Sequence, residues 1–143
     1  MTELQQEVMD QLNAHDTFCL ENGIQLTAIA DDRATACLTV APRHMNASGV
    51  VQGGAIFALC DLAFAGVANA GGERTVAQGA SISYLRPGSG SKLVAEARMI
   101  HRGKRTAVVA VEVVNDAGKL VACANITGCP LGIPFLAEGD KTE

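Results

Sequence analysis

Between Gly53 and Gly72 the chain reads GGAIFALCDLAFAGVANAGG, and Asp61 is the only charged side chain between Arg43 and Glu73. A helix that is apolar nearly all round is stable only where other elements bury it. At 1.5 Å per residue, Gly53–Ala70 would span about 27 Å, and Gly71-Gly72 would stop it. A lone carboxylate in such a run loses hydration free energy, so it must be paired, exposed to a cleft or functional. The segment therefore demands a covering layer and marks Asp61 as a candidate reactive group.

The flanking sequence supplies that layer. Leu4, Val8 and Leu12 recur at helical spacing, so residues 3–18 read as an amphipathic helix ended by Asn22-Gly23. Ile24 and Leu26, then Ala34, Ala36, Leu38 and Val40, alternate with polar residues around Asp31-Asp32, the pattern of a hairpin. Pro42 closes its second strand, and Arg43–Gln52 reads as a loop. Four further strands are expected at Arg74–Leu85, Lys92–His101, Arg105–Val114 and Lys119–Ile126. Pro87-Gly88, Arg102-Gly103-Lys104 and Asp116-Ala117-Gly118 separate them as turns. Such short links suit antiparallel strands. The sheet needs one face covered, and only the Gly53–Ala70 helix is apolar enough to cover it. The expected class is α+β, one domain over residues 1–143 with an N-terminal helix. The stretch after Pro130 has no clear pattern.

Composition narrows the partners. A chain of 143 residues that is 48% hydrophobic and 18% charged suits one folded domain rather than disorder. A net charge of -4 and 3% aromatics argue against a nucleic-acid surface. Five cysteines, an odd number with no CxxC, read as free thiols in a reducing compartment, so a cytoplasmic protein is expected. The acidic, amphipathic N-terminus is unlike a signal peptide. Val50–Gly72 is the one conceivable membrane span, but it carries Gln52, Asp61 and Asn69 without close Lys or Arg flanks. No membrane partner is expected. No His/Cys cluster has metal-ligand spacing, so no metal or cofactor is expected either.

Chemistry concentrates at the start of the apolar run. The first N–H groups of a helix lack intrahelical partners and carry partial positive charge. Gly53 and Gly54 present them without side chains in the way, so a carbonyl oxygen could dock there as in an oxyanion hole. The plainer reading is a glycine pair that permits a tight turn. Asp61 shares a helix face with Gly53, Phe57 and either Phe64 or Ala65. It is either a nucleophile or general base, or a structural carboxylate. Cys60 is adjacent but points about 100° away, and it reads better as a core thiol than as a nucleophile, although His44 might approach it in space. Arg102, Lys104 and Arg105 form a basic stretch, either a solvated turn or a contact for a substrate phosphate.

Three blocks carry a family resemblance: Asn46–Ala70 (NASGVVQGGAIFALCDLAFAGVANA), Ser81–Gly88 (SISYLRPG) and His101–Gly128. From about residue 17 to residue 129 the pattern resembles a hotdog-fold thioesterase of the subfamily named for phenylacetic acid degradation. The resemblance implies a long central helix wrapped by a curved antiparallel sheet. It also implies two such units joined as a dimer, with dimers commonly pairing into a homotetramer. Active sites would lie at the dimer interface, with the Gly53 end and Asp61 supplied by different subunits.

Carried over by residue, Gly53 would donate its N–H to the thioester carbonyl and Asp61 would be nucleophile or base for water. Asn46 would orient or polarise the reacting group, with Gly54 beside it. The family's usual HGG is here Gln52-Gly53-Gly54, and Gln52 can hydrogen-bond but cannot exchange a proton near neutral pH. Ser81 and Ser83 are candidates for a hydroxyl that the family often uses to position water. The expected activity is acyl-coenzyme A thioester hydrolysis. A non-catalytic acyl-coenzyme A binding module is the alternative that Gln52 keeps open. A hotdog hydratase fits less well, because it needs a His partner for the carboxylate.

Overall fold

The computed structural model describes residues 1–136. Thr2 starts α1 (Glu3–His15) with a capping box: its hydroxyl accepts from the Gln5 N–H at 3.1 Å, and its N–H donates to Gln5 Oε1 at 2.9 Å. The expected single N-terminal helix breaks at Asp16, whose side chain caps a second short helix, α2 (Thr17–Glu21). The hairpin follows as β1 (Ile24–Ile29) and β2 (Arg33–Thr39), then a single 3-10 turn at Pro42–His44. The long helix α3 spans Gly53–Ala68 and ends two residues short of the expected Ala70, with Asn69 as its C-cap. The remaining strands are β3 (Glu73–Tyr84), β4 (Lys92–Arg102), β5 (Ala107–Asn115) and β6 (Leu120–Pro134). β6 runs well past Ile126 and gives strand structure to the stretch after Pro130; residues 137–143 lie outside the described residues.

The six strands form one antiparallel sheet in the order β1-β2-β4-β5-β6-β3. This order corrects one expected turn. Pro87-Gly88 does not close a hairpin, because β3 pairs with β6 while β4 pairs with β2 and β5. The segment crosses beneath the start of α3 instead, where the Gly88 carbonyl accepts from the Val51 N–H at 2.9 Å. The fold is the hotdog fold: a sheet curled around one buried helix.

α3 packs mainly on β2, β4 and β1. The inward residues there are small, Ala34 and Ala36 on β2 and Ala95 and Ala97 on β4, all fully buried. Above them α3 buries Ile56, Leu59, Leu62, Phe64 and Val67. Ile126, Val109, Val111 and Val113 complete the core from β5 and β6. The edges differ in finish. At β1, Asn13 of α1 takes both backbone groups of Leu26, donating to its carbonyl at 2.9 Å and accepting from its N–H at 2.8 Å. At the other edge β3 pairs on one side only, with β6.

Gly66 is where helix and sheet come closest. A Cβ there would meet Leu26 Cδ2 at 2.7 Å and Ala34 Cβ at 2.9 Å. Gly→Ala inside a helix ordinarily gains about 1 kcal/mol, whereas overpacking a tight core costs about 1–3 kcal/mol. The clash should win. Gly66→Ala is expected to lower the urea midpoint at unchanged m-value, and an equal or higher midpoint would contradict this packing.

Candidate active site

Gln52 is the N-cap of α3, and its extended backbone (φ -62°, ψ 139°) directs the side chain back over the first turn. Gln52 Oε1 accepts from the Gly54 N–H at 3.1 Å. The Gln52 N–H donates to the His44 carbonyl at 2.8 Å, and the Gln52 carbonyl accepts from Ala55 at 3.0 Å and Ile56 at 3.3 Å. The next donor, the Gly53 N–H, makes no hydrogen bond among the described residues. It is an open donor at the positive end of a helix.

Asn46 stands beside it. Its Oδ1 accepts from the Ser48 N–H at 2.9 Å and the Val50 N–H at 3.3 Å, which folds the loop back toward α3. Its amide nitrogen stays available to donate. Asn46 separates two clefts that flank the helix start. One, of about 450 Å³, is lined by Phe18, Ile24, Arg43, Met45, Gln52 and Gly54 among others. The second, of about 380 Å³, is lined by Val50, Gly53, Ile56, Tyr84 and Arg86 among others. Both join apolar walls to an Asn, a helix N-terminus and a guanidinium.

Asp61 lies two turns along α3 on the one strip that the sheet leaves uncovered, with Gly54, Phe57, Ala58 and Ala65. Its carboxylate has no hydrogen bond or ion pair among the described residues. The apolar surroundings push its pKa up, and the Asp16 carboxylate adds in the same direction. Eight residues separate Gly53 from Asp61, about 12 Å of helix, so the two groups of one chain cannot grip the same carbonyl.

The other expected residues are distributed less evenly. Gly54 is in place, its N–H held by Gln52. Ser81 and Ser83 pair with Asn125 and Cys123 on the outer face of the sheet, whereas Ile82 and Tyr84 of the same strand turn toward α3. Within one chain they are not brought to Gly53. Arg102 belongs to β4 rather than to a turn, and its guanidinium donates to the Ala68 carbonyl at 2.7 Å and to Thr75 Oγ1 at 3.3 Å. It caps the C-terminal end of α3. Lys104 and Arg105 are exposed in the adjoining turn, a helix length of about 24 Å from Gly53.

His44 and Cys60 are not a reactive pair. The buried His44 ring accepts from the Ala41 N–H at 2.9 Å through Nδ1, so Nε2 carries the proton toward the Asn22 carbonyl at 2.6 Å. Burial pushes the Cys60 thiol up to about 12, with Asp61 and Cys123 adding to the effect, so it is not a thiolate at neutral pH. Sequence reasoning passed over Tyr84, whose hydroxyl donates to the Gly53 carbonyl at 2.9 Å. The available signal was that it is the only tyrosine in a chain with few aromatics.

This helix, sheet and glycine start are those of a hotdog thioesterase. Residues 48–122 match the model of the thioesterase superfamily. The chain belongs to that superfamily and is a thioester hydrolase. It is of the phenylacetic-acid-degradation type. It is 38% identical over 101 residues to the acyl-coenzyme A thioesterase PaaI of Escherichia coli strain K12, covering 70% of this chain and 72% of that one. The solved structure of the E. coli PaaI protein from the phenylacetic acid degradation operon superposes with a TM-score of 0.87 at 30% identity, covering 92% and 96% of the two chains. The structure of smu.793 from Streptococcus mutans UA159, bound to acetyl-CoA, superposes with a TM-score of 0.74 at 29% identity, covering 78% and 90%. No helix among the described residues is long and apolar enough to cross a membrane.

The raised Asp61 pKa has a stability consequence. The folded chain holds this proton more tightly than the unfolded chain, so the group's contribution to stability falls as pH rises through its folded pKa. Asp61→Asn removes that slope. The variant should match wild type in Tm below the ordinary carboxylate pKa of about 4 and exceed it increasingly as pH rises from there to the raised folded-state pKa. A variant less stable than wild type at neutral pH would show that the carboxylate has a favourable partner.

Proposed function

We propose that this protein hydrolyses acyl-coenzyme A thioesters at sites shared between two copies of the chain. The observation that carries the reading is the unpartnered Asp61 carboxylate on the uncovered strip of α3, with an open N–H at the same helix's start. The thioester oxygen docks on the Gly53 N–H and Asn46 orients the reacting group. Asp61 of the other subunit either attacks the carbonyl carbon or takes a proton from the water that attacks it. Negative charge gathers on the oxygen held by Gly53. The intermediate collapses, the carbon–sulfur bond breaks, and the coenzyme A sulfur takes a proton, returned by Asp61 on the general-base route or drawn from solvent water on the nucleophilic route. On the nucleophilic route a water molecule then cleaves the Asp61–acyl anhydride to free the acid and restore the carboxylate. Gln52 holds the first turn without itself transferring a proton.

Two features support the dimer. The 12-residue strand β3 is an open edge with Val76 and Tyr84 about half exposed, and an exposed edge of this length invites pairing. A two-fold axis near the half-buried Phe57 would set Gly53 of one helix against Asp61 of the next, because 57 is midway between 53 and 61. Relatives that bind acetyl-CoA or act on acyl-coenzyme A support the substrate class. Five free cysteines support a reducing, cytoplasmic setting. Lys104 and Arg105 are two exposed cations that could meet coenzyme A phosphates.

Asp61→Asn keeps the side-chain volume and removes the charge that both chemical routes require. Turnover of a panel of aryl, short-chain and medium-chain acyl-coenzyme A substrates should fall at least about a hundredfold, with oligomeric state unchanged by light scattering. Near-normal turnover in the purified variant would refute the assignment.

A further inference from the structure

Two consecutive glycines at a helix start are the least constrained backbone a chain can supply. An oxyanion donor needs the opposite, since a misplacement of about 1 Å can cost about a hundredfold in rate. The structure holds the Gly53–Gly54 peptide at both ends. Its N–H donates to Gln52 Oε1 at 3.1 Å, and its carbonyl accepts from the Tyr84 hydroxyl at 2.9 Å. The Tyr84 ring also lies flush on Gly53: a Cβ there would meet Tyr84 Cζ at 3.0 Å and the hydroxyl oxygen at 3.1 Å. The preceding peptide is fixed independently, its carbonyl taken by Ala55 and Ile56. The Gly53 N–H, in that preceding plane and adjoining the clamped Gly53–Gly54 peptide, is the one donor of the pair left open.

We propose that Tyr84 is a positioning residue for thioester hydrolysis: its ring and hydroxyl, opposite the Gln52 side chain, lock the Gly53–Gly54 peptide so that the Gly53 N–H stays aimed at the thioester oxygen. This rests on the proposed docking at Gly53. Tyr84 reaches the helix from the last position of β3, so the lock ties the donor to the sheet rather than to the loop before α3. Desolvation raises the hydroxyl further above its ordinary pKa of 10.0, so it is a donor throughout neutral pH. The same ring forms a wall of the cleft shared with Val50, Ile56 and Arg86.

Tyr84→Phe removes the hydroxyl and keeps the ring. Its kcat should fall about tenfold with KM for the best acyl-coenzyme A substrate within about twofold of wild type. Amide exchange followed by NMR should quicken about tenfold at Gly54 and stay unchanged at Val111 in the core of β5. A merely structural staple would not separate kcat from KM or confine the exchange change to the helix start. Wild-type kinetics, a rise in KM at constant kcat, or unchanged Gly54 exchange would each overturn the role of Tyr84. A wild-type chain inactive toward every thioester would instead overturn the proposed function, and the role of Tyr84 in it.

Discussion

Burying α3 is the constraint on which the structure turns. Its Ile56, Leu59, Leu62, Phe64 and Val67 cannot all face one layer, so a flat sheet would leave part of the helix wet. The sheet curls instead, and small residues on its central strands make room: Ala34, Ala36, Ala95 and Ala97 lie under the helix, and Gly66 lets the two backbones close on each other. Six strands still do not complete the cover. The strip from Gly54 through Phe57 and Asp61 to Ala65 stays open, and the long edge β3 stays unpaired on one side. The groups proposed to react, Asp61 and the Gly53 N–H, sit where the packing is unfinished.

That placement sets stability against chemistry. Asp61 would be better solvated elsewhere, and its raised pKa records the cost of keeping a carboxylate against an apolar helix. The Gly53 N–H is likewise a polar group left open at a helix start that Gln52 caps only at the next residue. Each is a local defect that the sixteen-residue helix tolerates because the rest of it is so thoroughly buried. Neither group completes a site alone, and one helix holds them about 12 Å apart. The proposed two-fold relation between chains would be the simplest geometry to turn two such defects into one reaction centre.

Much of this was legible from residue patterns. The apolar run with its single carboxylate announced the buried helix, and turn residues divided the later strands at nearly the right places. What stayed hidden was mostly three-dimensional. Strand order is a long-range property, so Pro87-Gly88 looked like a hairpin although it links an edge strand to a central one. Arg102 looked like part of a solvated basic turn, but the end of α3 draws its guanidinium to the Ala68 carbonyl. Asp16 breaks the N-terminal helix by capping the next, a local competition that helical periodicity does not register. Tyr84 carries no motif of its own, and only the folded chain places its hydroxyl against Gly53.

The central claim is that Gly53 of one chain works with Asp61 of another, and subunit mixing tests it most directly. Asp61→Asn and Gly53→Pro chains, the second lacking the N–H at a first helical position that tolerates proline, would each be assayed alone as inactive parents, then unfolded together, refolded and checked for mixed assembly by native mass spectrometry. Sites shared between chains predict that activity returns to about a quarter of wild type, because one of the four site combinations regains both groups. A mixture that assembles fully but stays as inactive as its parents would contradict the shared site.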